Sequence, residues 1–355
     1  MKRAGNLFGT ICSWDNLELA ARRARRRKRY RLYAERFELR RESILRAVRD
    51  ELVAGAWTPK PYRTFTIHDP KERTICAPCY RDRIVHHALH NVVAPIFERS
   101  MVDRSFSCRV GMGTKAARAE CRRLTARHSH VLKMDVRKYF PSIDHAILKS
   151  KIRRHIKCRP TLEVLDGIVD SWRDTEYPPM WFPGDDLLAP ATRSRGLPIG
   201  ALTSQLFANL FLNRIDHWIL ESVRPAGYIR YTDDLLLFSN DKTFLHETRD
   251  RLIEQMAAER LMPHPTKRRV HACREGIPFL GFRFWPDRVR VMQEGRIRFE
   301  RRIRRMAAAW RRGTGTLGEI GASMYAWFQF VREFPSTEGL VRAESGRIRV
   351  SAAGG

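Results

Sequence analysis

Three aspartates stand where apolar segments end, and they are the residues best suited to chemistry. Asp233 and Asp234 are adjacent and lie between two apolar runs, and Asp135 ends a third run. Carboxylates beside apolar segments are unfavourable to bury unless something binds them. Mg²⁺ is the natural partner, because hard cations take carboxylate oxygens as ligands. Three carboxylates can hold two metal ions about 4 Å apart, which activates an attacking hydroxyl and stabilises a leaving phosphate.

The residues around these aspartates predict the elements that present them. Residues 131–134 are typical of a short strand that ends at Asp135, and residues 228–238 are typical of a hairpin whose bend carries Asp233 and Asp234. A hairpin tip presents both carboxylates at the edge of a sheet. We therefore expect the three aspartates to converge on one pair of metal ions.

Other aspartates have simpler interpretations. An isolated Asp-Asp pair is most often a surface turn. We interpret Asp185 and Asp186 that way, because they follow Gly184 in a proline-rich stretch. Asp144 directly precedes a predicted helix at His145, which favours an N-cap over a fourth metal ligand.

Apolar periodicity and turn residues predict the remaining elements. Segments 65–67 and 74–76 flank Asp69 and Pro70 and predict a hairpin, and Thr114 is expected to cap a helix. Residues 159–195 contain five prolines and are expected to form a long connection. The other predicted helices span 83–94, 204–220, 301–312 and 324–333, and the other predicted strands span 279–284 and 289–292.

The charge balance indicates a polyanionic partner. Lysine and arginine number 67 against 39 aspartates and glutamates, which gives a formal net charge of +28. Such a field attracts nucleic acid or an anionic membrane beyond contact distance. A run of 18 apolar residues, which a transmembrane helix needs, does not occur, and residues 1–10 lack the apolar core of a signal peptide. Nucleic acid is therefore the favoured partner.

The most basic segment lies near the N-terminus. Asp15 is expected to cap a helix that begins at Asn16 and continues into the basic residues of segment 22–31. Because no acidic residue interrupts segment 20–34, its like charges repel unless something neutralises them. A phosphate-tracking arm is therefore favoured over a solvated basic face.

The cysteines do not form a recognisable framework. Seven cysteines, an odd number, are scattered along the chain, which fits a reducing cytoplasm better than a disulfide-bonded protein. Cys76 and Cys79 form a lone Cys-X-X-Cys, whereas a structural zinc site needs four ligands. Buried thiols are favoured, and zinc bound with histidines of the following helix is the alternative.

Several boxes together resemble reverse transcriptases, and they occur in that family's order from about residue 60 to 285. Residues 231–234, Tyr-Thr-Asp-Asp, are similar to the family's Tyr-X-Asp-Asp box, and residues 135–144 resemble the palm motif that supplies the first metal ligand. Residues 106–114 are similar to a fingers motif, residues 264–267 to the motif whose lysine lies near the departing pyrophosphate, and residues 280–282 to the primer-grip hairpin.

The resemblance implies a role for each matching residue. The implied metal ligands are Asp135, Val136, Asp233 and Asp234. They would bind two Mg²⁺ ions, for which Mn²⁺ can substitute. The implied catalytic residues are the three aspartates and Lys267. Phe140 falls at an aromatic steric gate against the ribose 2′-hydroxyl. The other implied nucleotide-binding residues are Lys71, Arg73, Arg81, Ile199 and Gln205, and the implied primer and template contacts are Tyr231, Leu280, Gly281 and Phe282.

One box departs from the common family pattern. Segment 196–205 has Ile199 where most reverse transcriptases have glutamine, and Gln205 where they have proline. This form is similar to the reverse transcriptases of diversity-generating retroelements, as are segments 5–8, 14–17 and 182–186. The resemblance implies copying of a template RNA with errors at adenines for mutagenic retrohoming. Loss of a polar group at Ile199 could relax base discrimination; simple packing beneath the nucleotide is the alternative.

The expected architecture is an α+β right-hand polymerase with fingers, an antiparallel-sheet palm and a small helical thumb. The expected units are a basic helical extension (1–50), fingers (51–130), a palm (131–295) with the connection inserted, a thumb (296–340) and a flexible tail (341–355). The implied partners are template RNA, the cDNA or primer strand, dNTPs and a small, basic, oligomeric accessory protein. A bacterial or phage-encoded cytoplasmic protein without a membrane partner is expected.

Three alternatives stay open at the level of sequence. The first is a reverse transcriptase of an antiviral system or of another bacterial retroelement. The second is an RNA-binding, maturase-like splicing factor, although about seventy residues after Phe284 leave little room for the usual extra domain. The third is an RNA-dependent RNA polymerase, against which the bulky ring of Phe140 argues.

Overall fold

The computed structural model describes residues 2–28, 30–68 and 72–334. Within them, helices surround antiparallel sheets, which confirms the α+β class. The strands are β1 (Arg63–Ile67), β2 (Arg73–Ala77), β3 (His130–Val136), β4 (Gly227–Tyr231), β5 (Asp234–Ser239), β6 (Pro263–Ala272), β7 (Ile277–Phe279), β8 (Phe282–Phe284) and β9 (Val289–Val291).

The helices differ in length from one turn to about five turns. They are α1 (Phe8–Ile11), α2 (Trp14–Arg25), α3 (Leu32–Leu39), α4 (Arg41–Val53), α5 (Tyr80–Glu98), α6 (Thr114–Arg127), α7 (Tyr139–Ser142), α8 (His145–Arg153), α9 (Arg159–Asp170), α10 (Ala189–Thr192), α11 (Leu202–Trp218), α12 (Lys242–Ala258), α13 (Gln293–Arg311) and α14 (Leu317–Val331). A π-helical turn, Ile219–Val223, extends α11.

A four-stranded antiparallel sheet, in the order β4-β5-β3-β6, forms the centre of the molecule. Its side chains alternate between two buried faces, as the two-residue period of a strand requires. Leu132 and Leu237 face a large core shared with α5 and α11, whereas Val131 and Leu236 face a second core shared with α6 and the sheet β7-β8-β9. Burial on both faces explains why β3 and β5 are almost continuously apolar, whereas the edge strand β6 is largely exposed and polar.

The N-terminal helices pack on α5 and differ in detail from expectation. Helix α2 begins at Trp14, and its N-cap is Ser13, whose hydroxyl accepts from the Asn16 amide at 3.4 Å. The prediction that Asp15 caps this helix was wrong, because Asp15 lies in the first turn. The helix also ends at Arg25, so segment 22–31 is not one continuous helix.

The hairpin β1-β2 confirms the strands predicted around Asp69 and Pro70, which lie outside the described residues. The prediction that Thr114 caps a helix was wrong: α6 begins at Thr114, its N-cap is Gly113, at a φ of +105°, and no side chain caps it. Asp144 is the N-cap of α8, as predicted, and its carboxylate accepts from the Ile147 amide at 3.0 Å.

The connection predicted at 159–195 is partly helical. Its first part is helix α9, in which Pro160 occupies the first turn, where proline is tolerated. Its second part is anchored by a buried carboxylate, because the side chain of Asp185 is 3% exposed and is bonded to Arg193. Asp185 lies in a turn, as predicted, and accepts from the Phe182 amide at 2.7 Å, but its carboxylate is buried rather than at the surface.

The C-terminal part of the described chain joins a small sheet to two helices. The predicted strand 279–284 is two strands, because Leu280 and Gly281, at φ +45° and +89°, make the tight turn between β7 and β8. Helices α13 and α14 pack together around Phe299 and Trp327, whose rings stack at 4.5 Å. Among the helices described, none is long and apolar enough to cross a membrane. All seven cysteines are free thiols.

Candidate active site

The central sheet brings the three predicted aspartates to one edge. Asp135 on β3 lies directly opposite Asp234, the first residue of β5, in antiparallel register. Asp233 occupies the two-residue bend between β4 and β5, together with Thr232, which adopts a left-handed φ of +56°. A β-bulge interrupts the β3-β6 register between Met134 and Val136, and bulges commonly re-aim a side chain next to an active site.

Burial makes this cluster of carboxylates electrostatically unfavourable. The pKa of Asp233 is raised to about 7, first by burial and then by the nearby charge of Asp135. Burial also raises the pKa of Asp234, while the ammonium group of Lys133, 3.5 Å away, acts in the opposite direction. A bound cation would relieve both effects, since an opposite charge favours the ionised form.

Lys267 lies on the edge strand β6 and its ammonium group is bonded to the carboxylate of Asp135. The motif lysine and the first predicted metal ligand are therefore in direct contact. The side chain of Lys267 is half-exposed, and that of Asp135 is largely buried. The ammonium group thus supplies part of the positive charge that this cluster requires.

The donor set fits divalent cations in its chemistry. One carboxylate oxygen of Asp234, Oδ1, is buried and has no hydrogen-bond partner, so a polar ligand position is left unsatisfied. Hard cations prefer such oxygens. Val136 has a buried side chain and could contribute only its main-chain carbonyl. Within 2–28, 30–68 and 72–334, no three carboxylate, imidazole or thiol groups already stand in metal-binding geometry.

The basic residues predicted to hold the nucleotide have different environments. Lys71 lies outside the described residues. Arg73 is exposed at the start of β2. Arg81, in the first turn of α5, is bonded to Glu51 and pairs with Asp82 at 2.9 Å. Arg81 is therefore committed to contacts within the protein.

Hydrogen bonds connect the divergent box with the predicted sugar-gate residue and with the β1-β2 hairpin, since the Leu197 amide donates to the Phe140 carbonyl at 2.9 Å. Phe140 is half-buried, with its ring 5.9 Å from that of Tyr139. The carbonyl of Ile199 accepts from the Cys76 amide at 2.7 Å, which ties the box to β2. Gln205 is exposed in the first turn of α11. These contacts leave the side chain of Gln205 accessible and that of Ile199 half-buried.

The turn between β7 and β8 holds the residues predicted to contact primer and template. Leu280 and Gly281 are half-buried at its tip, and Tyr231 is half-buried at the end of β4. Phe282 is fully buried, and its ring lies 4.6 Å from that of Phe330. The prediction that Phe282 contacts primer or template is therefore corrected for its ring, which is buried beneath the turn and supports it.

Two features of the site were missed in the sequence. Lys133 interrupts an apolar strand and donates to the carbonyl of Pro278 at 2.6 Å, besides lying close to Asp234. Arg230 and Asp216 form a completely buried ion pair beneath the bend that carries Asp233. Both features could have been found in the sequence, because Lys133 and Arg230 are charged residues in apolar strands and Asp216 is a charged residue in an apolar helix.

The sheet, the paired aspartates and the contacting lysine define a phosphoryl-transfer type of site. Residues 60–284 match the reverse transcriptase (RNA-dependent DNA polymerase) family. Because that match covers more than half of the sequence, the chain belongs to the reverse transcriptase family.

Individual relatives share part of this chain. Protein YkfC of Escherichia coli is 28% identical over 184 residues, which cover 50% of this chain and 45% of that protein. The group II intron-encoded protein LtrA of Lactococcus lactis subsp. cremoris is 22% identical over 188 residues, which cover 51% of this chain and 29% of that protein. The chain thus spans less than half the length of the curated relatives it matches.

Solved structures also show similarity. The structure of apo telomerase from Candida tropicalis superposes with a TM-score of 0.47 and 11% sequence identity. The superposition covers 66% of this chain and 49% of that chain.

Proposed function

We propose that this chain is an RNA-directed DNA polymerase that extends a primer on an RNA template with dNTPs and Mg²⁺, or Mn²⁺ in its place. The observation that carries the proposal is the pairing of Asp135 with Asp234 across β3 and β5, with Asp233 at the adjacent bend. Membership of the reverse transcriptase family supports the same activity.

The proposed roles follow from the positions of the side chains. Asp135, Asp233 and Asp234 would hold two divalent cations, which activate the primer 3′-hydroxyl and stabilise the leaving pyrophosphate when they are bound. Lys267, already in contact with Asp135, would bring a positive charge close to the departing pyrophosphate. Phe140 would exclude the 2′-hydroxyl of a ribonucleotide.

The activity is tested by primer extension on RNA. Asp233→Asn should abolish dNTP incorporation while the protein still unfolds cooperatively at a melting temperature no lower than that of the parent, because a carboxylate ligand is lost without a change in size. Asp287→Asn is a matched control, since its carboxylate is 67% exposed and pairs only with the neighbouring Arg288 at 3.0 Å. Robust synthesis by Asp233→Asn would exclude this active site.

The finer proposal is a diversifying function: error-prone copying at template adenines, used for mutagenic retrohoming. Ile199 and Gln205 support it, because both depart from the usual reverse transcriptase residues in the same box. An apolar side chain at position 199 cannot check a base pair by hydrogen bonding. A small, basic, oligomeric accessory protein and a bacterial cytoplasmic location belong to this proposal.

Sequencing of cDNA from an RNA with balanced bases tests the finer proposal. The parent should misincorporate mainly at template adenines. Ile199→Gln should reduce those errors by roughly 10-fold, because one additional contact in a binding pocket changes discrimination by about that factor. Equal error rates at all four template bases in the parent would reject the diversifying function. An adenine bias that persists unchanged in Ile199→Gln would reject the role given to Ile199.

A further inference from the structure

A buried ion pair lies directly beneath the bend that carries Asp233. Arg230 on β4 and Asp216 on α11 are both 0% exposed, and the guanidinium Nη2 lies 2.7 Å from Asp216 Oδ2. The Nε atom of Arg230 also donates to Asp216 Oδ1 at 2.7 Å, so the pair is bidentate. The hydroxyl of Tyr228 donates to the same Oδ1 at 2.6 Å. Asp216 is thus a fixed anchor for the guanidinium.

The remaining guanidinium nitrogen reaches the bend itself. Nη1 of Arg230 donates to the carbonyl oxygen of Thr232 at 3.0 Å and to the side-chain oxygen of Asn209 at 3.1 Å. Thr232 has a φ of +56°, a conformation that a β-branched residue rarely adopts and that its surroundings must hold in place. The hydrogen bond from Arg230 restrains the peptide that directly precedes Asp233.

A second set of bonds holds the same bend from segment 105–107. The Thr232 hydroxyl donates to the hydroxyl of Ser107 at 2.8 Å. Asn209 donates from its amide to the Ser107 carbonyl at 2.7 Å, and the Phe106 amide donates to the carbonyl of Arg230 at 2.9 Å. The bend is therefore fixed on two sides, and Arg230 and Asn209 connect the two sides.

Arginine at position 230 is not explained by stability alone. A buried ion pair is weak evidence for stability, because well-packed apolar residues of similar volume are often as good or better. Lysine could neutralise Asp216, but a single ammonium group lacks the planar set of donors that spans a carboxylate and a peptide carbonyl at once. The geometry of the contacts therefore points to a task at the bend.

We propose that Arg230 is a positioning residue for catalysis: anchored by Asp216, it fixes the Thr232 carbonyl and thereby aims the carboxylates of Asp233 and Asp234. This inference rests on the proposed polymerase function. It assigns no contact with substrate to Arg230, which is completely buried. Its effect reaches the chemistry only through the orientation of the bend.

A charge-free replacement separates positioning from folding. The triple variant Arg230→Met, Asp216→Leu and Tyr228→Phe removes both charges and the hydroxyl that would lose its acceptor, so the fold should be retained. We expect the melting temperature to stay within a few degrees while kcat for RNA-templated extension falls by about 100-fold or more, the effect of a misplacement of about 1 Å. The KM for dNTP should change much less than kcat.

The matched control is a second buried ion pair that lies away from the bend. Lys151 and Glu259 are 9% and 4% exposed and 2.8 Å apart. The double variant Lys151→Met and Glu259→Leu should keep kcat within about threefold of the parent, since the hydrogen bonds of this pair run to the Phe211 carbonyl and to Arg214, both on α11, and not to the bend. A loss of kcat as large as that of the triple variant would overturn the assignment, because any buried pair would then matter equally.

Arg230→Lys is the second decisive variant, and it settles the question when the triple variant does not unfold cooperatively. Lysine keeps the charge beside Asp216 but not the span to Thr232, so kcat should fall at least 10-fold in a variant that still unfolds cooperatively. A kcat within threefold of the parent in either folded variant would reduce Arg230 to a structural residue.

Binding of Mn²⁺ alone, followed by electron paramagnetic resonance, gives a readout that does not depend on turnover. Asp233→Asn supplies the baseline for loss of the site. The triple variant should bind Mn²⁺ at least several-fold more weakly than the parent; parental affinity would overturn the proposal. If the parent itself makes no DNA on RNA, the polymerase function fails, and this measurement still decides the role of Arg230.

Discussion

At the scale of single residues, the carboxyl group of Asp233 couples the protonation of the site to the stability of the protein. Burial and the charge of Asp135 raise its pKa to about 7, whereas an unfolded chain holds an aspartate near 3.9. Between these values the folded protein keeps a proton that the unfolded chain has released. Stability without metal therefore falls as the pH rises from about 4 to 7.

Asp233→Asn should remove this contribution, because asparagine does not titrate. In the presence of EDTA, the melting temperature of the variant minus that of the parent should grow by at least about 2 °C between pH 4.5 and pH 8. Thermal scans of both proteins across this range measure the difference. A constant difference would mean that Asp233 is ionised in the folded protein throughout, and that another cation already neutralises it.

Phe140 is the residue on which sugar discrimination should depend. Phe140→Ala leaves space where a 2′-hydroxyl would fit, so the ratio of ribonucleotide to deoxyribonucleotide incorporation should rise roughly 10-fold or more. Single-nucleotide extension with each substrate measures the ratio. Phe244→Ala is the control, since Phe244 is also half-buried against the main core but lies on α12. An unchanged ratio in Phe140→Ala would make Phe140 a core residue only.

At the scale of elements, the sequence predicted the two structures that carry the aspartates. Residues 131–134 and 228–238 contain apolar runs bounded by turn residues, and both became strands of the central sheet. Local patterns suffice there, because burial on both faces makes the strands continuously apolar. Neither segment alone specifies the strand with which it pairs. The proximity of Asp135 to Asp234 was predicted from the need of Mg²⁺ for several carboxylate ligands.

The burial of Asp185 and of the Arg230–Asp216 pair was not predicted because it depends on contacts between separate segments, whereas the helix at 159–170 was missed for a local reason. Asp185 is buried because Arg193 and Arg260 surround it, with Arg260 at 3.9 Å. Arg230 and Asp216 are fourteen positions apart and pair only after β4 packs on α11. Proline misled the interpretation of 159–170, since it is tolerated in the first turn of a helix.

The contact between the divergent box and the hairpin β1-β2 depends on one glycine. Gly200 has a φ of +119°, and a Cβ there would lie 2.9 Å from Ile75 Cγ2 and 3.1 Å from the Cys76 carbonyl oxygen. Gly200→Ala should therefore lower the free energy of unfolding by about 1–3 kcal/mol and should also reduce primer extension, because the hairpin must shift.

Chemical denaturation and primer extension measure the two effects of Gly200→Ala. Gly111→Ala is the matched control, because Gly111 also has a positive φ, +76°, but a Cβ there meets nothing within 4 Å. If both variants lose the same stability and keep full activity, backbone strain alone explains the effect and the close approach to the hairpin has no functional weight.

At the scale of the whole molecule, two exposed basic regions contribute to the net charge of +28. The first is the N-terminal basic segment, in which Arg22, Arg26, Arg27 and Arg31 are exposed. The second is α13, in which Arg301, Arg302, Arg304 and Arg305 are exposed. The active-site edge carries the buried carboxylates instead. A nucleic acid duplex at the active site would need both basic regions to neutralise its phosphates.

The salt dependence of RNA–DNA duplex binding tests whether both basic regions contact the phosphates of the duplex. Each phosphate neutralised by the protein adds about 0.7–0.9 to the slope of log affinity against log salt concentration. Changing the four arginines named for either region to glutamine should therefore flatten the slope by up to about 3, with fluorescence anisotropy across a salt series as the measurement.

Four arginines that are already paired with neighbouring carboxylates supply the control. Arg46, Arg123, Arg159 and Arg288 lie 2.6, 2.6, 3.0 and 3.0 Å from their acidic partners. Changing them removes the same formal charge from surfaces whose charge is locally balanced, so the slope should change by less than about 1. If all three variants flatten the slope equally, net charge alone governs binding. If only the α13 variant does so, the N-terminal basic segment does not contact the duplex and faces solvent or another protein.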